Sequence, residues 1–244
     1  MVFSYRLPAC FSLALLLAAC ASAPPQLADS HAAYAAALAD AAVASPAKVQ
    51  PLRPLPKGDS ATMVSWVSEQ RLPCAKEALP CDMPVGADRL WVTLGGEVQA
   101  LCQSWNLQGD ALRGRLEQLL GLPNHSPVQY RKTHFVLLEI PRERLERPCL
   151  GVTEGGASGP VCTMDLQAAT SPEMRSFVGQ QMAAAYVMDS PKGPGYPYTR
   201  LGYTYDWAAA ALPSHYGASE FVVAPGTTVK AVRIVATDAY CSAP

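Results

Sequence analysis

Phe221-Val222-Val223-Ala224-Pro225-Gly226-Thr227-Thr228-Val229-Lys230-Ala231-Val232-Arg233-Ile234-Val235 is the stretch on which the fold class turns. Two apolar, β-branched runs, Phe221 to Val223 and Val229 to Val235, flank Ala224-Pro225-Gly226-Thr227. Proline and then glycine at the centre of four residues suit a type II turn, whose third position needs positive φ. The pattern predicts a β-hairpin. Further out, Leu90-Trp91-Val92-Thr93-Leu94 predicts a strand stopped by Gly95-Gly96, and His134 to Ile140 a strand ended by Pro141. Two helices interleave with these strands. Asp110 is expected to cap the first, Ala111 to Leu120, whose Leu112, Leu116, Leu119 and Leu120 form one apolar stripe with Arg113, Glu117 and Gln118 facing away. Gly121 suits its C′ position and Pro123 blocks continuation. Ser171 and Pro172 open the second, with Met174, Phe177, Val178, Gln181, Met182 and Ala185 on its inner face. No βαβ rhythm appears. The expected class is α+β: a single disulfide-bonded domain with a small antiparallel sheet and two or three short helices.

Of 244 residues, 50% are hydrophobic and 16% charged, enough apolar surface for a core, which argues against global disorder. The net charge of −1, without a basic stripe, argues against nucleic acid as a partner. Arg6 precedes the apolar run Ala9 to Ala19. That run is too short for a hydrocarbon core of about 30 Å and fits a secretory signal. Its end, Leu17-Ala18-Ala19-Cys20, resembles a bacterial lipobox. The resemblance implies a signal peptide over 1–19, a diacylglycerol (palmitate-type) modification on the Cys20 sulfur, and cleavage just before it. Acyl chains bury methylenes at about 0.8 kcal/mol each, which would anchor the chain to a membrane. An ordinary signal cut after Ala21-Ser22-Ala23 would leave Pro24 first, a poor fit. Ala21 in place of Asp resembles the sorting signal for the outer membrane of Gram-negative bacteria. The expected location is the cell envelope, lipid-anchored at that membrane.

Residues 20–60 are expected to form an Ala/Pro-rich tether. Leu27 to Ala44 could make a helix, but its methyl-rich face would dock weakly. Pro46, Pro51, Pro54 and Pro56 favour an extended spacer. The globular domain is then 61–244. Of eight cysteines, Cys10 leaves with the signal and Cys20 carries lipid. Cys74, Cys81, Cys102, Cys149, Cys162 and Cys241 remain, an even set for an oxidising compartment. Six cysteines allow about 15 pairings, and sequence does not choose among them. The pairing taken as the expectation is Cys74–Cys81, Cys149–Cys162 and Cys102–Cys241. The glycine-rich loop from Cys149 to Cys162 is expected to be exposed and irregular. No CxxC occurs, and His31, His125, His134 and His215 lack paired spacing, so neither a metal site nor a cofactor is expected.

The segment Tyr196-Pro-Tyr-Thr-Arg-Leu-Gly-Tyr-Thr-Tyr-Asp-Trp207 stands apart, being five-twelfths aromatic against 8% in the whole chain. In one reading its rings close the core, hydroxyls reaching backbone partners, with Arg200 and Asp206 in structural pairs or caps. In the other, Tyr198, Arg200, Tyr203, Tyr205 and Trp207 line a binding cleft, and Arg200, Asp206, His215 and Glu220 supply its polar or catalytic groups. Ser219 with His215 lacks the elbow of a serine hydrolase. Asp206 and Glu220 could form a glycosidase carboxyl pair. Glu220 before Pro225-Gly226-Thr227 is similar to the catalytic-glutamate strand of ADP-ribosyltransferases, which implies NAD chemistry with Arg200 on a phosphate. Ala218 stands where that family has Glu or Gln.

Arg115-Leu-Glu-Gln-Leu-Leu-Gly-Leu-Pro123, the Tyr196–Trp207 segment and Tyr216-Gly-Ala-Ser-Glu-Phe-Val222 together resemble a group of uncharacterised secreted proteins and lipoproteins of proteobacteria. The likeness runs from Leu90 to Cys241 and departs at Asn124, in place of a second proline, and at Tyr198, in place of tryptophan. It implies a shared fold and no particular activity. The functional expectation is an envelope lipoprotein with a domain that binds a protein or glycan. The alternative is an envelope or secreted enzyme using Glu220 with Asp206, His215 or Arg200.

Overall fold

The computed structural model describes residues 30–124, 130–155, 159–168, 171–190, 193–208, 211 and 214–242; the expected signal peptide and Cys20 lie outside them. Helix α1 (Ser30–Ala42) precedes β1 (Ser60–Val67), β2 (Cys81–Pro84) and β3 (Leu90–Leu94). Helices α2 (Gly95–Ser104) and α3 (Gly109–Leu119) follow, then β4 (His134–Pro141), β5 (Leu145–Glu146), β6 (Val152–Glu154) and β7 (Pro160–Cys162). Next come α4 (Pro172–Ala185), β8 (Tyr203–Tyr205), β9 (Tyr216–Val223), β10 (Thr228–Ala236) and α5 (Thr237–Cys241). The class is α+β, as expected, but the antiparallel sheet is large. It has eight strands, in the order β2-β10-β4-β1-β3-β9-β5 with β8 also on β9.

The expected hairpin does not form, although its turn does. Thr227 N–H donates to the Ala224 carbonyl at 3.4 Å, and Gly226 has φ +75°. Between β9 and β10 in the sheet lie β3, β1 and β4. In a flat sheet, four spacings of about 4.8 Å would hold β9 and β10 about 19 Å apart. A four-residue link whose turn is under about 7 Å across does not reach that far. The sheet therefore curls on itself. Phe221 and Val223 of β9 share an enclosed core with Val229 and Ala231 of β10, filled by Met63, Val92, Leu138 and Ile140. The turn is held by Val85, which donates to Thr227 O at 2.7 Å and accepts from Gly226 N at 3.1 Å.

The outer face of the same sheet carries Val64, Trp66 and Phe135, covered by Val98 and Cys102 of α2, Leu112 and Leu116 of α3, and Tyr240 of α5. Gly95-Gly96 ends β3 as expected, yet it begins α2 rather than a loop. In α3, Gln108 and not Asp110 holds the N-cap position; Asp110 pairs with Arg113 instead. Glu117 is buried with the leucine stripe, contrary to expectation. Gly121, at φ +67°, completes a Schellman cap: Leu122 N donates to Glu117 O at 2.8 Å and Gly121 N to Gln118 O at 3.3 Å. Ser171 Oγ accepts from Met174 N at 3.1 Å and caps α4, whose Met182 points outward rather than in. The flanks of the glycine-rich loop are not irregular: β6 and β7 pair as a separate two-stranded ribbon.

The expected tether is largely part of the body. Tyr34 and Leu38, four residues apart on α1, are each 2% exposed and pack with Ala37 and Ala41 against Tyr205 and Trp207. One phenol and one leucine supply the apolar area that alanine methyls lack. Leu52 is buried with Cys149, Cys162, Leu201 and Tyr203. Its N–H donates to Pro160 O at 2.8 Å, so the proline-rich stretch lies along the ribbon.

The three disulfides are Cys74–Cys81, Cys102–Cys241 and Cys149–Cys162, the expected pairing. The second joins α2 to α5 across 139 residues, and the first spans only 7. Loop-closure entropy grows with the logarithm of loop length. Replacing Cys102 and Cys241 together by serine is expected to cost about 5 kcal/mol, against about 2 kcal/mol for Cys74 and Cys81. Urea denaturation of both double variants measures the difference, and equal losses would count against the entropic account.

Candidate functional site

A buried tyrosine or tryptophan needs a partner for its polar tip. In the Tyr196–Trp207 segment each tip finds one on a different element. Tyr198 Oη donates to Pro148 O at 2.7 Å, Tyr203 Oη to Lys48 O at 2.6 Å, and Trp207 Nε1 to Leu122 O at 3.0 Å. Tyr205 Oη donates to Asp40 Oδ2 at 2.9 Å, and the Tyr196 hydroxyl bonds the Gln181 side chain. Arg200 Nη2 donates to Ala41 O at 3.2 Å and Ala42 O at 3.1 Å. A cation there complements the carbonyl end of α1. Asp206 takes two bonds from Arg115, at 3.0 and 2.6 Å, and a third from Ala208 N at 3.1 Å. The segment is thus a clamp, the first of the two readings open to it.

The polar candidates do not meet in one place. Arg200, Tyr203, Tyr205 and His215 border a cavity of about 340 Å³ beneath the end of α1, together with Asp40 and Lys48. His215 Nδ1 lies 2.8 Å from Asp206 O, and its ring stacks on Tyr205 at 4.5 Å between centroids. Arg200 and His215 both adopt positive φ, +61° and +49°. Asp206 is committed to Arg115, and Tyr198 and Trp207 are buried. Ser219 is fully buried on β9. Glu220 lines a different cleft, so its pairing with Asp206, His215 or Arg200 in one site, as the glycosidase and ADP-ribosyltransferase likenesses required, is not assembled.

That second cleft, about 380 Å³, lies on the outer face of the sheet beside the end of α3. Trp66, Trp91, Phe135 and Tyr196 wall it, with Thr93, Glu220 and Lys132 among its polar groups. Pairing explains the juxtaposition. Val64 opposes Thr93, and Thr93 opposes Glu220, so the three share one face across β1, β3 and β9. Trp91 meets Tyr196 and Tyr198 edge-on at 6.0 and 5.9 Å. Sequence reasoning had singled out Glu220 but missed Trp66, Trp91 and Lys132. They are distant in the chain, and only the strand order brings them together. The one local signal was Glu220 itself, the sole charge in an otherwise apolar and small-residue strand.

The Glu220 carboxyl is partly buried at the cleft, and burial pushes its pKa up to about 8; the Arg147 guanidinium opposes this only in part. It forms no hydrogen bond or ion pair with the described residues. Burial likewise raises Glu117 to about 7 against the pull of Arg113, Arg131 and Lys132. Burial lowers the pKa of the Lys132 ammonium; Arg71 adds to this and Glu117 opposes it. Among the described residues no group of three or more His, Cys, Asp or Glu could hold a metal ion. No protein-family model, curated protein or solved structure matches the chain.

Glu220 and Glu117 hold a proton more tightly in the folded than in the unfolded protein. Their contribution to stability is therefore fully present below about pH 4.5 and is lost as pH rises, through about 7 for Glu117 and about 8 for Glu220. Glu220→Gln and Glu117→Gln should each flatten the fall in unfolding free energy across that window. Urea melts at several pH values test this, and unchanged slopes in both variants would remove burial as the cause.

Proposed function

We propose that this chain is a bacterial envelope lipoprotein, acylated on Cys20, whose oxidised domain binds a partner molecule in the Glu220 cleft. One observation carries the binding reading: an unbonded carboxyl inside an aromatic-walled cavity large enough for a small ligand. Buried polar groups with a structural task are bonded, and a bare one in a concave site marks a binding or catalytic position. The lipobox at Cys20, the three disulfides and the likeness to secreted proteobacterial proteins support the envelope setting. The docked α1 bears on geometry. Nine residues separate Cys20 from Ser30, so the body would hang no more than roughly 33–36 Å from the bilayer surface. That distance is far less than a 40-residue spacer would allow.

A second reading is an envelope enzyme with Glu220 as general acid. The carboxyl's elevation to about 8 beside Trp91 and Tyr196 favours it, since a proton donor must stay protonated near neutral pH. On this reading Glu220 acts without Arg200, Asp206 or His215.

Radiolabelled palmitate should enter the wild type and not Cys20→Ser; equal labelling would refute the anchor. Fragment screening of the mature protein by NMR should yield hits that shift Trp66 and Trp91 signals. Glu220→Gln should weaken those hits while leaving the melting temperature unchanged or slightly raised. Hits confined to other surfaces would sink the cleft as the binding site.

A further inference from the structure

We propose that the Glu220 cleft takes a short peptide with both ends free, its α-ammonium against Glu220 and its C-terminal carboxylate against Lys132. This rests on the cleft being the binding site and goes on to name what it binds.

The cleft contains an acid and a base that leave each other alone; the Glu220 carboxyl, protonated near neutral pH in the free protein, ionises when an ammonium settles beside it. Neither the Glu220 carboxyl nor the Lys132 ammonium has a hydrogen bond or ion pair with any described residue, and both line the cavity. Asp206 is paired with Arg115 and Glu97 with Arg53, so neither of these carboxylates competes for the cleft. An acid and a base without partners at one cavity match a ligand that carries both signs, since a bound ammonium favours the ionised carboxyl beside it. A neutral sugar could hydrogen-bond both groups but would neutralise neither charge.

The surroundings assign the ends. Around Glu220 are the edges and faces of Trp91 and Tyr196, and the phenol of Tyr198 lies close by. Aromatic faces attract an ammonium and add nothing for a carboxylate. The nearest cation, Arg147, is spent on backbone: it donates to Gly202 O at 2.8 Å and to Glu220's own carbonyl at 3.3 Å, and it covers the Phe221 ring at 3.7 Å. Around Lys132 stand Arg71, Arg131 and a single carboxyl, Glu117. The balance there is cationic and favours an anion. Thr93, directly opposite Glu220 in the β3–β9 pair, presents a hydroxyl to the same cleft.

Strand order sets the length. Glu220 lies on β9 and Lys132 just before β4, with β3 and β1 between them. Three spacings of about 4.8 Å separate the two strands, and the register sets Glu220 level with Leu137, five residues from Lys132, so the two backbones are roughly 22 Å apart before either side chain reaches inward. A free amino acid, whose charged ends are one residue apart, is too short for that gap. A di- or tripeptide, at roughly 3.3 Å per residue, spans what the side chains leave. The apolar walls from Trp66, Phe135 and Leu122 suit small aliphatic side chains.

Isothermal titration of the mature, detergent-solubilised protein with alanyl di- and tripeptides, in L and D forms, tests the assignment. Their N-acetylated and C-amidated counterparts form the second arm. Each lost charge–charge contact is expected to weaken binding by about tenfold or more, so the free peptides should bind most tightly. In Glu220→Gln the acetylation penalty should vanish, and in Lys132→Met the amidation penalty. The blocked-peptide arm uses wild type only and stands even if a variant misfolds. Blocked peptides that bind as well as free ones overturn the peptide assignment. So does saturable binding of N-acetylglucosamine oligomers at Trp66 and Trp91 with no peptide binding below about 1 mM; the cleft would then remain a binding site for another ligand. No response to either class overturns both the peptide and the cleft.

Discussion

The structure depends on a requirement of buried aromatic side chains: a phenol or indole can leave water only if its polar tip is bonded. The Tyr196–Trp207 segment meets that requirement by reaching outward rather than by bonding within itself. Its tips end on α4, on the chain before Cys149, on the proline-rich stretch at Lys48, on α1 and on the cap of α3. Tyr34 answers from α1, donating to Gly195 O at 2.8 Å and packing edge-on against Trp207. Elements far apart in sequence are thereby held around one short irregular segment.

The curl of the sheet is the second organising fact. A four-residue link between strands with three others between them forces one face inward and leaves the other to be covered by helices. The enclosed face carries Met63, Val92, Leu138, Ile140, Phe221 and Val223. The outer face is largely apolar too, but Glu220 stands opposite Thr93 where its neighbours would predict hydrocarbon. Placing a carboxyl there raises its pKa and costs stability above neutral pH, a cost that a purely structural residue would not impose. The same face is roofed incompletely between the end of α3 and Pro194–Tyr196, and that gap is the cleft.

The staples reinforce these two features from opposite sides. Cys102–Cys241 fixes α5 over the outer face beside Phe135, where Tyr240 stacks at 4.1 Å. Cys149–Cys162 packs with Leu52 and Tyr203, so the ribbon, the proline-rich stretch and the aromatic segment share one small core. The chain from Ser30 to the proline-rich stretch is therefore built into the domain rather than appended to it.

Much was legible in the chain alone because it was local. The strands Leu90–Leu94 and His134–Pro141, the Ser171 cap, the Gly121 cap and the Ala224–Thr227 turn each depend on residues within a few positions of one another. Short-range sterics and hydrogen bonding decide such features. Partner choice was not local. The turn at Pro225-Gly226 has the chemistry of a hairpin, yet the strands it joins pair elsewhere, because burial of both apolar faces outweighs the ladder bonds of a simple hairpin. The docking of α1 depended on Tyr34 and Leu38 finding Trp207 and Tyr205, more than 160 positions away. The candidate site divided in the same way. Sequence pointed to Glu220 as an anomaly in its strand, while its companions Trp66, Trp91 and Lys132, and its separation from Arg200, Asp206 and His215, were decided only when strand order set which side chains share a face.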